Sequence, residues 1–244
     1  MKIFQKQCIT FLLICLAISS LLFITSCYDE NFMQQTNGND VPFIITNDRD
    51  RAYIIGRRIR ELSLIPGIDE PAILVNGDPI TRREINTRNI RANYPNRNSQ
   101  PFDEIINIML RQTVALQEAQ QRGLQPIPGR LHAGMETLRR LREDMPEIIS
   151  AHIEGLGISE DEYFNMRKES EYNSVLIDAL AESIIETHTD EIRVAADIRM
   201  EETDEALHRA FFIVSQEFVR DYFDNLVEQA NIEILDPEIR ELLQ

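Results

Sequence analysis

Cysteine is almost absent from this 244-residue sequence, and the three that occur, Cys8, Cys15 and Cys27, all lie at its start. Nothing beyond residue 27 can form an intramolecular disulfide or a cysteine-based metal site. Histidine is as sparse: His132, His152, His188 and His208 are scattered, and none has a metal-ligand partner at helical spacing. The nearest approach to a cluster is His188-Thr189-Asp190-Glu191, and two mixed ligands at a helix start arise readily by chance. There is no G-x-S-x-G elbow, no Walker loop and no dinucleotide-binding glycine fingerprint. Positive charge is also short, since 25 lysines and arginines face 41 acids for a formal net charge of −16. That balance argues against general nucleic-acid binding, which needs a basic surface. The expectation is a chain with no catalytic residues, no metal and no cofactor.

What is present is enough for a core: 43% of the residues are hydrophobic, an ordinary share for a globular protein. The charge is unevenly spread. Residues 49–97 hold 10 arginines against 6 acids, whereas residues 143–205 hold 19 acids against 4 bases. Two solvated helix faces account for this pattern, and a charge-guided partner site is the alternative.

Lys2 and Lys6 precede an uncharged apolar run that ends in Ile24-Thr25-Ser26-Cys27. A basic n-region followed by such a run is an export signal. Its end resembles a bacterial lipobox, an aliphatic residue and two small ones before a cysteine. The resemblance implies that Cys27 is lipidated (diacylglycerol and palmitate) and becomes the new N-terminus. Residues 1–26 are then a lipoprotein signal peptide, and the folded part is lipid-anchored on the extracytoplasmic side of a membrane, in the cell envelope. An uncleaved membrane span and an ordinary signal with an incidental cysteine are the other readings. Residues 27–70 read as a tether, polar up to about Asp48. Within it Ile54, Ile55, Ile59 and Leu62 have helical spacing, although Gly56 weakens a helix there.

The remainder, 71–244, is organised around Ile73-Leu74-Val75-Asn76-Gly77-Asp78-Pro79-Ile80-Thr81. The apolar run predicts a strand over about 72–76, Asn76-Gly77 a tight turn, and Pro79 a block to any continuation. Thr81 with Glu84 fits a capping box, so a helix begins at Thr81. One strand cannot satisfy its own backbone, and the internal candidate for a partner is 231–235, Asn-Ile-Glu-Ile-Leu. Between them the pattern is helical. Phe102, Ile105, Ile106, Met109, Leu110 and Val114 repeat at helical spacing up to a capping Gly123, and Ser159 with Glu162 opens a long helix carrying Leu176, Leu180 and Ile184. A final helix runs from about 203 to 230. The fold class expected is mainly α-helical (α+β), a helical body closed by a two-stranded sheet pairing 72–76 with 231–235.

In this order, Val75-Asn76-Gly77-Asp78-Pro79-Ile80-Thr81 leading into a helix, then Leu110 to Gly123, then Gly155 to Tyr163, then a last helix running into Ala230 to Ile234, the chain resembles the N-terminal chaperone module of the SurA/PrsA group of extracytoplasmic foldases. In that family a parvulin-type prolyl isomerase domain usually stands before the last helix; here only residues 186–202 fill the interval, and no such domain fits. The resemblance implies the chaperone half alone, a membrane-tethered holdase offering apolar surface to unfolded or exported polypeptides. A lipoprotein adaptor for one specific envelope partner is the alternative, and prolyl isomerisation would have to survive without its domain.

Candidate contact residues for clients are Phe164, Phe212, Phe223, Met109 and Met135, because thioethers and aromatic rings pack against many shapes. Phe212 and Phe223 lie off the stripe defined by Phe211, Phe218 and Tyr222. At helical spacing such residues also serve as plain core.

Overall fold

The computed structural model describes residues 48–93, 100–198 and 204–243. The expected signal peptide, Cys27 and the expected tether as far as residue 47 lie outside them. The first described helix, α1 (Asp48–Glu61), has Asp48 and Asp50 in its first turn and Arg58 and Arg60 in its last, both matched to the helix dipole. A 3-10 turn at Leu62–Leu64 ends it.

Two short strands follow, β1 (Pro71–Val75) and β2 (Asp78–Thr81). Asn76 and Gly77 between them have φ of 54° and 93°, the left-handed pair that a two-residue hairpin turn requires. Pro79 therefore does not block the sheet, contrary to expectation. In the register Val75 opposes Asp78 and Leu74 opposes Pro79. Pro79 thus occupies a non-hydrogen-bonded position on an edge strand, where its missing N–H faces away from β1. The expected Thr81–Glu84 capping box forms, with the Thr81 N–H donating to Glu84 Oε2 at 2.7 Å and the Glu84 N–H to Thr81 Oγ1 at 3.2 Å. Thr81 closes β2, and the helix it caps, α2, is Arg82–Asn93.

The helices that follow are α3 (Phe102–Gln121), α4 (Pro128–Asp144), α5 (Pro146–Leu156), α6 (Glu160–Thr187), α7 (Thr189–Ile198) and α8 (Asp204–Gln229). Glycine in the left-handed conformation ends two of them, Gly123 after α3 and Gly157 after α5, with φ of 67° and 68°. Ser159 and Glu162 make the predicted capping box at the start of α6. The chain returns to the sheet as β3 (Ile232–Ile234) and finishes in α9 (Pro237–Leu242), which Asp236 caps through the Glu238 N–H at 2.9 Å.

β3 pairs antiparallel with β1, Ile73 against Ile234, Leu74 against Glu233 and Val75 against Ile232. The Asn76 N–H donates to the Asn231 carbonyl and the Leu235 N–H to the Ala72 carbonyl, each at 2.8 Å. The early and late segments therefore lie side by side as expected, but the sheet has three strands in the order β2-β1-β3 rather than two. Its inner face, Ile73, Val75 and Ile80, packs on Ile85, Ile106, Leu110, Val114 and Ile239. A second cluster joins α3, α6 and α8 through Ala115, Ala119, Leu176, Leu180, Ile184 and Val219, and a third joins α7 to α8 through Ile192, Ala196, Ala210 and Val214.

The short helix foreseen within the tether is present as α1, and it belongs to the folded body. Gly56 and Gly155 let α1 and α5 touch backbone to backbone. A Cβ on Gly56 would stand 2.5 Å from the His152 carbonyl oxygen, and one on Gly155 would stand 2.2 Å from that of Tyr53. His152 Nδ1 also hydrogen-bonds the Ala52 carbonyl across this contact at 3.0 Å.

Candidate functional site

The five apolar residues singled out for client contact sit on four helices and in different packing environments. Met109 on α3 packs against the sheet cluster, and Phe223 on α8 packs against the α3–α6–α8 cluster. Phe164 on α6 is half-buried, edge-on to Tyr163 at 5.4 Å between ring centres, with the Arg142 guanidinium 5.6 Å from its own centre. Met135 on α4 and Phe212 on α8 are half-buried.

Two apolar residues that sequence reasoning missed stand further out, Val194 on α7 at 61% exposure and Ile213 on α8 at 47%. Both belong to the α7–α8 pair, whose contact face holds Ile192, Ala196, Ala210 and Val214. Val194 and Ala195, with Asp190 and Glu191, line a shallow and mostly apolar depression on α7. The signal was there in α7, where Val194 follows the buried Ile192 by two positions and so must fall off a one-sided helical stripe. A second shallow depression, where Arg49 of α1 meets the first turns of α5, is lined also by Pro146, Glu147, Ser150 and Glu154.

Charged groups are arranged in two contrasting ways. On α4, Arg130 pairs with Asp178 at 3.8 Å and with Glu182, both of α6. Burial raises both carboxyls above their ordinary range, and the nearby Arg130 only partly offsets it. Arg88 and Arg91 on α2 and Arg167 on α6 have no carboxylate within ion-pair distance among the described residues. Burial disfavours the charged form of Arg88, and burial together with the Arg167 and Arg88 charges does the same for Arg91. The Arg167 Nε is enclosed and has no hydrogen-bond partner. His152 is pushed down by burial, despite its Ala52 hydrogen bond, and by the same Arg91 and Arg167 charges. Its ring lies edge-on to Tyr163 at 5.8 Å.

His188 Nδ1 meets Glu191 Oε2 at 3.0 Å, and its ring packs on Phe218 at 4.9 Å. Among the described residues no group of three or more His, Cys, Asp or Glu could hold a metal ion. No helix among them is long and apolar enough to cross a membrane. No protein-family model matches the chain, and no curated protein or solved structure matches it either.

Proposed function

We propose that the chain is a membrane-tethered binding protein of the bacterial cell envelope, a holdase that receives unfolded or exported polypeptides without catalysis, as the resemblance to the SurA/PrsA chaperone module implies. The observation that carries the reading is the pairing of β1 with β3. It closes a helical body from its two ends, the arrangement expected of that module, and among the described residues the interval between α6 and α8 holds one short helix, α7, where the family usually has its isomerase domain. The exposed Val194 and Ile213 supply apolar surface on the α7–α8 pair, of the kind that adaptable polypeptide binders use. Lipid on Cys27 would hold the body near the membrane, and the acidic balance of the chain would keep it off anionic headgroups.

Aggregation of a chemically unfolded test protein, followed by light scattering with and without the chain from Tyr28 onward, tests the proposal. Suppression at near-stoichiometric amounts is the expected result. No effect at severalfold excess overturns it, and a single stoichiometric companion recovered from the native envelope would favour the adaptor reading in its place.

A further inference from the structure

The two edges of the β2-β1-β3 sheet are finished differently. Along β2 the groups that face away from β1 belong to Pro79, which has no N–H, and to Thr81, whose N–H is taken by Glu84 Oε2 at 2.7 Å. That edge offers no main-chain donor. Along β3 the Asn231 carbonyl and the Leu235 N–H are bonded to β1, so the alternation of an antiparallel ladder turns the N–H and C=O of Ile232 and Ile234 outward. The Ile234 carbonyl accepts from Arg240 Nη2. The N–H and C=O of Ile232 and the N–H of Ile234 have no hydrogen-bond partner among the described residues. Ile232 and Ile234 stand opposite the buried Val75 and Ile73 on the inner face of the sheet, yet they are only partly buried, since among the described residues no further strand covers them. Glu233 between them points to the other face and is exposed.

A sheet edge with free main-chain donors and acceptors is a template for another extended chain, and a proline such as Pro79 is one way of closing it. β2 is closed in this way and β3 is not. We propose that the β3 edge is where an extended client segment adds to the sheet as an antiparallel fourth strand. This rests on the holdase reading and gives it a main-chain contact site. The client residues opposite Ile232 and Ile234 lie on the inner face and are apolar. The residue between them faces Glu233 and is basic, because opposite charges across a strand pair stabilise it and like charges do the reverse. The same rule opposes a second copy of the chain as the occupant: the two-fold register that would use all of β3 sets each copy's Glu233 against the other's.

Fluorescence anisotropy of a labelled, end-capped short peptide alternating valine with lysine, titrated with the full chain in neutral detergent, tests this. Saturable binding is expected. N-methylation of the valine amides leaves the peptide's charge unchanged and weakens binding about tenfold, the worth of one or two main-chain hydrogen bonds; N-methylation of the lysine amides, which face away from β3, leaves it unchanged. Glu233→Lys, at an exposed position, turns the preference toward a peptide alternating valine with glutamate. Ile232→Pro gives β3 the missing N–H that Pro79 gives β2, spares the β1 bonds of Asn231 and Leu235, and abolishes binding. No binding by the wild type, or equal binding of the two methylated peptides, overturns the strand-edge site whether or not the chain suppresses aggregation. Aggregation suppression undiminished in Ile232→Pro overturns it too and leaves the holdase reading standing. Peptide binding with this methylation pattern but no suppression keeps the site and removes that reading. A dimer that dissociates on dilution and is lost in Ile232→Pro assigns the edge to a second copy and overturns the proposal.

Discussion

Gln117 of α3 reads the conformation of Asn76 in the β1–β2 turn. Its Oε1 accepts from Asn76 Nδ2 at 2.9 Å, while its Nε2 donates to the Val75 carbonyl at 2.9 Å and to Asp78 Oδ2 at 2.7 Å. Asn76 in turn accepts the Asn231 N–H on its Oδ1 at 2.9 Å, so one amide side chain joins the turn, the central helix and the return of the chain to the sheet.

Gln117→Ala removes all three bonds and should cost about 1–2 kcal/mol, read as a lower midpoint in urea with an unchanged slope. Gln117→Glu keeps the acceptor for Asn76 but sets a second carboxylate against Asp78. Its loss should exceed that of the alanine variant at neutral pH, read on the same urea midpoint.

Gly56→Ala separates two views of α1. In a free tether the change would favour the helix by up to about 1 kcal/mol, since glycine is a poor helix former. Packed on α5, the new methyl meets the His152 carbonyl, with 2.5 Å available, and the variant should instead lose about 1–3 kcal/mol through overpacking. Gly155→Ala should do the same from the other side. Limited proteolysis checks both, with cleavage after residues 62–67 appearing in the variants before global unfolding.

Much of this architecture is legible in local chemistry. Thr81–Glu84 and Ser159–Glu162 form their capping boxes because each is a contract between residues three apart, and the positive φ of Asn76 and Gly77 follows from what those side chains permit. The β1–β3 pairing is inferable from the backbone need of one apolar strand for a partner. Pro79 misleads because its effect depends on which edge its nitrogen faces, a property of register. Gly56 reads as a helix weakness until α5 lies against it. The exposure of Tyr172 at 40%, although it continues the stripe of Leu176 and Leu180, arises because α6 runs beyond the cluster it serves.

Ser159→Ala should cost about 1 kcal/mol, the usual worth of a lost helix cap. The box is also pH-dependent. Hydrogen bonds from the Ser159 backbone and side chain hold the Glu162 carboxyl below its ordinary value, so its contribution is present above that value and is lost as pH falls through the folded one.

Asp178 behaves in the opposite sense. Its carboxyl is raised by burial, so the folded state binds the proton more tightly than the unfolded chain, and the stability tied to protonation fades as pH rises through the folded value. Asp178→Asn should therefore melt near the wild type at about pH 4 and above it at about pH 7. Arg130 keeps Glu182 as a partner in this variant.

Val194 and Ile213 give the proposed function its sharpest test. At 61% and 47% exposure neither contributes much to the core, whereas their neighbours Ile192, at 0%, and Val214, at 5%, do. Val194→Glu and Ile213→Glu should leave the melting temperature within about 2 °C of the wild type, as surface changes usually do. Each puts a carboxylate where an apolar client segment would lie, and desolvating that charge opposes binding. Suppression of client aggregation should weaken in each variant and fall furthest in the pair. Full activity in the double variant would move the client surface away from α7 and α8, toward the half-buried Phe164 and Met135 on α6 and α4.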